Sequence, residues 1–334
     1  MPNAMPMPKQ KIRRERVNVV VRILNLIGCF AVVGSIVSWF ASVHWIGDML
    51  AHLRVQYVIL LLPALAIVVI RRKRLLTAIV LGFIAYNVWP TIPYFVPMRQ
   101  SSASRTLENE QYRVLSFNVL RTNREFAKTL EEIMDQDADF VFLMEVQNAW
   151  QNVLAGVKDR YPSQKVLADP AYTGVAFLSK IPWDSLEVVM LGDVSNPSID
   201  VRLPCRGPSS RTIRIIATHP LPPFGDMLTT SRDRQLKTLA ERFVPDDPNL
   251  LVGDLNLSPW SPRFAKFLKK GNLVDASLGY GIATTLDPLP TWLGGVKVDH
   301  VLTDRSLKIQ NYFVKQAAYS DHKMVIVDFQ LITD

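Results

Sequence analysis

Two hydrophobic regimes divide this 334-residue chain. The first hundred residues hold three long apolar runs: Ile23 to Val43, Val55 to Ile70 (which Leu50 and Ala51 could extend), and Leu75 to about Met98. Each approaches the roughly 20 residues that cross a bilayer as a helix. The pattern predicts spans at about 20–43, 52–70 and 75–97, forming an N-terminal membrane anchor over 1–98. Buried core helices are the alternative, but a soluble core needs no three such runs in succession. No small-residue cleavage site marks the first run as a signal peptide.

From Tyr112 the runs shorten and alternate with polar residues. Strands are predicted at Arg113–Phe117, Phe140–Met144, Gly174–Leu178, Ile199–Leu203, Thr212–Thr218, Leu250–Gly253, Val298–Leu302, Leu307–Val314 and Met324–Phe329. Helices are predicted at Glu125–Met134, capped by Thr122 or Asn123, at Ala149–Lys158, at Leu228–Phe243, and at Ser261–Lys269, started by Ser261-Pro262. Many strands joined by few helical crossovers imply two packed mixed sheets with helices outside. The polar stretch 99–111 reads as a linker between the anchor and a domain over 112–334. Fully stretched, about twelve residues reach roughly 40 Å, which keeps the domain near the membrane surface.

Charge sharpens the division. Residues 1–100 carry 12 of the 38 Lys/Arg and 2 of the 30 Asp/Glu, so the remaining 26 and 28 leave residues 101–334 at a net of −2. The basic excess flanks apolar runs and is no signature of nucleic-acid binding. Lys9, Lys11, Arg13, Arg14 and Arg16 precede the first run, and Arg71, Arg72, Lys73 and Arg74 separate the second from the third. Positive charge marks the cytoplasmic side, so three spans would place the C-terminal domain outside the cytoplasmic membrane. Trp39, Trp45, Trp89 and Tyr94 lie near the predicted span ends, where aromatic belts form. Of the two cysteines, Cys29 falls in the first run and Cys205 is alone in the domain. That excludes an intradomain disulfide and a cysteine-based zinc site.

The chemistry-bearing residues sit where apolar strands end. Asn118 follows RVLSF and Glu145 follows FVFLM. A carboxylate there is costly to bury unpaired, and a hard cation such as Mg²⁺ offsets that cost; a turn Asn and a helix-initiating Glu are the plainer alternatives. His219 ends TIRIIATH. Asp254 and Asn256, in LLVGDLNLSP, share a face two residues apart and can orient a water and a phosphate oxygen, where an Asx turn is the alternative. Asp299 and His300 are neighbours, as are Asp321 and His322. Neighbours on a strand point to opposite faces, so an Asp299–His322 dyad across motifs is expected, leaving Asp321 to face a metal or another polar group.

Taken together, LSFNV, FLMEVQ, TGVAFLSK, ATHP, GDLNLSP, PTW, VDHVLTD and SDHKMV resemble, in order, the endonuclease/exonuclease/phosphatase superfamily of DNase I-like nucleases, inositol polyphosphate 5-phosphatases and neutral sphingomyelinases. The likeness covers Tyr112 to Phe329; GDLN followed by SDH is its specific part. The three-span N-terminus is similar to the membrane-anchored bacterial branch of YafD-type and VanJ-type proteins.

The resemblance implies an α/β four-layer sandwich (α/β/β/α) of two mixed sheets, with the site at the strand ends. It implies that Asn118 and Glu145 hold Mg²⁺ or Mn²⁺, with Asp321 nearby. Asp254 would position or deprotonate the attacking water and Asn256 would contact the phosphate. His219 and His322 would stabilise the transition state, with Asp299 orienting His322. The carboxylate that partners the first histidine in the nucleases has no evident counterpart; Asp200 and Asp169 are candidates. His300, where the family often has an aromatic, reads as structural. The expected activity is metal-dependent hydrolysis of a phosphate ester, with a membrane lipid-linked phosphate or pyrophosphate preferred. DNase-like nucleolysis is a second version, not favoured by the charge, and a non-catalytic tethered binding module is the competing class. Phe224, Trp260 and Trp292 lie near the motif loops, either to meet acyl chains or to pack beneath the site.

Overall fold

The computed structural model describes residues 9–97, 105–169, 174–192, 196–206, 211–243, 248–288 and 290–333. Residues 99–104 of the predicted linker, Thr173 of TGVAFLSK and Met98 lie outside them. The chain forms two compact units, Met1–Thr91 and Ile92–Asp334.

The first unit is helical: α1 (Lys9–Val37), α2 (Trp45–Ala51), α3 (Arg54–Ile70) and α4 (Arg74–Val88). Two helical stretches are long and apolar enough to cross a membrane, Glu15–Phe40 with mean hydropathy 2.2 and Arg74–Tyr94 with 1.7. The second predicted span differs from expectation. Here α2 and α3 meet at 67°, so a third span exists only if this bent pair is one. Polar packing accompanies the break. Arg54, first residue of α3, is buried, donates to the Tyr86 carbonyl (3.2 Å) and hydroxyl (2.9 Å), and lies over that ring.

Among the described residues, the second unit holds twelve strands. The first sheet runs β11 (Leu307–Gln316), β12 (Lys323–Thr333), β1 (Arg105–Asn118), β2 (Phe140–Met144), β4 (Val175–Ser179), β3 (Ser163–Leu167). The second runs β5 (Ser185–Met190), β6 (Pro197–Pro204), β7 (Thr212–Ala217), β8 (Asn249–Asp254), β10 (Asp299–Thr303), β9 (Val274–Asp275). Both are mixed. In the first, β1 and β2 are parallel and the other pairs antiparallel; in the second, β7 and β8 are the parallel pair. Helices α5 (Phe126–Met134) and α6 (Ala149–Ala155) cover the outer face of the first sheet; α7 (Asp226–Ala240) and α8 (Pro262–Gly271) cover the second. The expected four-layer sandwich is therefore present.

Alternation decides which side chains enter the space between the sheets. Val114 of β1, Phe140 and Phe142 of β2, Leu250 and Val252 of β8, and Val301 of β10 meet there. Leu115 and Val141 face α5 and α6, and Leu251 and Leu302 face α7 and α8. Asn118, Asp254 and Asp299 share parity with the inner set, so continuing each strand delivers them to the same interior edge.

Three local expectations are corrected. Residues 105–110, placed in the linker, extend β1 and pair in part with the end of β12, Arg105 opposite Thr333; backbone pairing overrides their polar sequence. Strands β3, β5 and β9 carry no strong apolar run and escaped the pattern. Asn123 does not cap α5 directly. Its Oδ1 accepts from the Glu125 N–H (2.8 Å) in an Asx turn ahead of the helix. At α8, Ser261 accepts from the Arg263 N–H (3.1 Å), with Pro262 in the first turn as the sequence implies.

Candidate active site

Strand pairing brings the distant motifs together. Parallel β7 and β8 set Ala217 beside Val252, so His219 and Asp254 leave neighbouring strand ends. Antiparallel β8 and β10 pair Asp254 directly with Asp299. In the other sheet, parallel β1 and β2 pair Asn118 with Met144, which puts Asn118 next to Glu145. The two sheets then join at this edge. The Asp254 N–H donates to Met144 Sδ (3.1 Å), and His322, just before β12, donates through Nδ1 to Asp299 Oδ2 (2.9 Å).

Asp254 is the centre of the group. Its Oδ2 lies 3.6 Å from His219 Nε2 and 3.8 Å from His322 Nε2, and its Oδ1 accepts from the Asn256 N–H (2.8 Å). Asn256 in turn donates through Nδ2 to the Pro220 carbonyl (3.0 Å), tying the loop after β8 to the one after His219. Gly253 makes this approach possible. A Cβ there would strike the Thr218 carbonyl, and its φ of 147° disfavours any side chain.

Glu145 departs from the alternation. Parity would send it outward with Val141 and Leu143, but its φ of 60° turns the chain. Its carboxylate accepts from Asn118 Nδ2 (2.9 Å) and from the Arg121 N–H (2.9 Å). Leu120 and Asn256 are also left-handed, at φ 61° and 49°. Such conformations cost about 1–2 kcal/mol each for residues with a Cβ and concentrate where the chain holds a functional group in place. The Ser320 hydroxyl joins the motifs, donating to the Asn118 carbonyl (2.8 Å) and accepting from the His322 N–H (3.0 Å).

The electrostatics favour a cationic His322. Burial opposes its charge, but Asp299 at hydrogen-bond distance, then Asp254 and Asp321, raise it from 6.5 to about 10. Asp299 is wholly buried; burial first, and the neighbouring Asp254 charge, push its carboxyl above the ordinary range, against His322 and Thr285. Asp299 Oδ1 has no hydrogen-bond partner among the described residues, nor has His219 Nδ1.

The predicted metal set is only partly assembled. Asn118 and Glu145 touch, whereas the Asp321 side chain is exposed and its carbonyl accepts from the Asp287 N–H (3.1 Å). A second group has ligand atoms within 4.8 Å of one another: Asp254, Asp299 and His322. Glu145 has no lysine or arginine ion-paired to it among the described residues. This unneutralised carboxylate fits a hard, oxygen-preferring divalent cation; the Asn118 amide turns its nitrogen to Glu145 while its oxygen accepts from the Leu120 N–H (3.1 Å).

Neither candidate carboxylate reaches His219. Asp200 is committed to Arg214 (2.6 Å) and Arg242 (3.0 Å), and the Asp169 backbone is bonded to Val146, beside Glu145. The carboxylate at His219 is Asp254 itself. His300 points to the other face of β10, donates to the Leu257 carbonyl (2.8 Å) and packs on Phe264. Trp260 is buried, while Phe224 and Trp292 are exposed.

Several supporting residues were not foreseen. Thr285 Oγ1 accepts from the N–H groups of both Val298 and Asp299 (3.0 Å each); it lies in an irregular segment that offers no periodic signal. Arg232, fully buried, donates to the Asn256 carbonyl (3.0 Å) and pairs with Asp233. Its signal was present: Thr229, Arg232, Leu236 and Leu239 form the buried stripe of α7.

A sequence model of the Endonuclease/Exonuclease/phosphatase family matches residues 115–322. No curated protein matches this sequence. Among solved structures, an endonuclease/exonuclease/phosphatase from Beutenbergia cavernae superposes with a TM-score of 0.55 at 17% identity, covering 66% of this chain and 72% of its own. The human Nocturnin catalytic domain with bound sulfate gives 0.55 at 19%, covering 69% and 97%. D. rerio TDP2 complexed with a single-strand DNA product gives 0.55 at 13%, covering 66% and 98%. At these identities the likeness is one of fold.

Proposed function

Because the chain belongs to the endonuclease/exonuclease/phosphatase family, whose members hydrolyse phosphate esters, we propose that it is a Mg²⁺- or Mn²⁺-dependent phosphoester hydrolase. The observation that carries this reading is Asp254 set between two imidazoles, one of them held by Asp299.

Asp254 positions a water for attack at phosphorus and takes its proton. His322, cationic through Asp299, donates hydrogen bonds to the charge that develops on the phosphoryl oxygens, and His219, whose Nε2 lies 3.6 Å from the same Asp254 oxygen, assists it. Preorganised donors aimed at developing charge are commonly the largest catalytic contribution. Asn256 contacts a non-bridging oxygen. Glu145 and Asn118 would hold the divalent cation, joined by the exposed Asp321 carboxylate; when bound, the cation would supply positive charge to the phosphoryl group.

The substrate we favour is a lipid-linked phosphate or pyrophosphate at the outer face of the cytoplasmic membrane. Apolar helices on the same chain, flanking basic clusters on the predicted cytoplasmic side, and a net charge of −2 over residues 101–334 support it. So do the exposed Phe224, Met227 and Trp292, and a cleft of about 520 Å³ beside the His219 loop, lined by Leu221, Met227, Leu228 and Arg234 among others.

The test is a substrate screen with full-length protein in liposomes. Isoprenoid phosphates and pyrophosphates, glycerolipids and single- and double-stranded DNA are compared with Mg²⁺, Mn²⁺ or EDTA. Metal-dependent turnover of a lipid phosphate, absent in Asp254→Ala, is expected. Turnover of DNA alone overturns the lipid assignment, and no turnover above Asp254→Ala overturns the hydrolase reading. An alkaline phosphatase fusion after Asp334 is expected to be active; an inactive fusion, expressed at equal level, overturns the topology.

A further inference from the structure

A second charged cluster lies sealed beside β10. Lys297 Nζ donates to both oxygens of Asp275, at 3.0 and 2.8 Å, and to Ser277 Oγ. Asp275 also accepts from the Ser277 N–H (2.9 Å) and hydroxyl (2.7 Å). The side chains of the pair are each 1% exposed. A further donor comes from a distant point in the sequence. The Tyr94 hydroxyl donates to Asp275 Oδ2 at 3.0 Å, and the Tyr94 carbonyl accepts from the Gly281 N–H at 2.6 Å. The Lys297 ammonium stands 5.3 Å from the centre of the Tyr94 ring, a distance at which a ring attracts a cation.

Tyr94 lies outside the family-matched segment, which begins at residue 115. It nevertheless belongs to the compact unit that carries the site, which begins at Ile92. It is the last residue of the apolar helical stretch Arg74–Tyr94. A domain cut at the predicted boundary of residue 112 would lose it.

The buried pair is tied to the site by short links. Lys297 stands two residues before Asp299. The Val298 carbonyl accepts from the Leu255 N–H at 2.9 Å, and His300 donates to the Leu257 carbonyl at 2.8 Å. The loop carrying Asn256 is thus held on both sides, by Val298 just before β10 and by His300 within it. The Tyr94 ring meets the same loop a second time, packing edge-on against Trp260 with centroids 5.2 Å apart.

We infer that Tyr94 is a positioning residue for the active site. Through the Asp275–Lys297 pair and through Trp260 it fixes the start of β10 and the 254–260 loop, and so the placement of Asp254 against Asp299 and His322. A buried ion pair depends on every donor that solvates it, because water cannot replace one. Removing the hydroxyl therefore loosens Lys297 and, with it, the first residues of β10. The kinetic consequence rests on the hydrolase reading; the mechanical one does not.

The experiment compares full-length Tyr94→Phe with Tyr161→Phe. The Tyr161 hydroxyl also donates to a buried acceptor, the Ala138 carbonyl at 2.8 Å, on the far side of the first sheet. Hydrogen exchange is read over residues 254–260 and 297–300, with kcat and KM for bis(p-nitrophenyl) phosphate in Mn²⁺. Tyr94→Phe is expected to speed exchange in both segments about tenfold, the effect of losing one hydrogen bond to a charged group. It is expected to lower kcat by roughly the same factor with KM nearly unchanged. Tyr161→Phe is expected to do neither at a comparable fall in Tm. Exchange unchanged in Tyr94→Phe, or equal loosening in Tyr161→Phe, overturns the inference. Should wild-type protein hydrolyse nothing, the hydrolase reading fails and the exchange data alone decide the role of Tyr94. If Tyr94→Phe does not fold, Trp260→Phe tests the second link by the same measurements, and its failure to loosen residues 254–260 also overturns the inference.

Discussion

His322 and Asp299 come from different sheets, yet His322 Nδ1 donates to Asp299 Oδ2 at 2.9 Å. The bond closes the edge of the sandwich and holds the imidazole in its charged form. Asp299→Asn keeps the shape and removes the charge. The alkaline limb of the pH–rate profile, set by His322 near 10 in the wild type, is expected to move down toward the ordinary histidine value. kcat should fall by about 10²-fold or more. A pH–rate profile that keeps its limb would contradict this assignment.

Asp254 and Asp299 face each other across β8 and β10, and the charge of Asp254 helps raise the carboxyl of Asp299. Asp254→Asn is expected to abolish hydrolysis, by about 10³-fold or more, while leaving the protein equally or slightly more stable, within about 1 kcal/mol. Thermal denaturation beside a turnover assay checks both halves. A large loss of Tm would show that Asp254 is structural.

Glu145 combines a left-handed backbone with an unneutralised carboxylate. Glu145→Gly relieves the strain, worth about 1 kcal/mol, but removes the carboxylate. We expect a Tm at or above that of the wild type in EDTA and loss of the Mn²⁺-induced Tm increase. Calorimetric titration with Mn²⁺ supplies the independent measurement; undiminished binding would remove Glu145 from the metal site.

His300 and Asp275 predict acid sensitivity in two windows. Burial, then the charge of Lys297, lower His300 from 6.5 to about 4, so it folds neutral. Between those values the unfolded chain binds the extra proton, so stability is lost as pH falls from about 6.5 to 4, by order 3 kcal/mol. Asp275, held to about 2 against burial by Lys297 and its other partners, contributes stability above its ordinary 3.8 that is lost as pH falls through that range. Urea titrations from pH 7 to 3 should show both losses, and His300→Gln should lack the first. An unchanged slope in His300→Gln would assign it to another group.

Sequence by itself determined the two regimes, the strand ends that carry Asn118, Asp254 and Asp299, and the inner face they share, because a period of two continues through a strand without help from its neighbours. It also separated Asp299 from His300, which bond on opposite faces of β10. Only the tertiary structure decided the rest. Glu145 reaches Asn118 because its backbone abandons the alternation. Asp254, and neither Asp200 nor Asp169, stands at His219, because parallel pairing of β7 with β8 puts their ends side by side. Polar residues 105–110 became strand because β12 offered them a partner. Tyr94, read by pattern at the end of a membrane span, also stands among the donors of a buried ion pair. Each of these depends on a contact between residues remote in the chain, and no local periodicity encodes it.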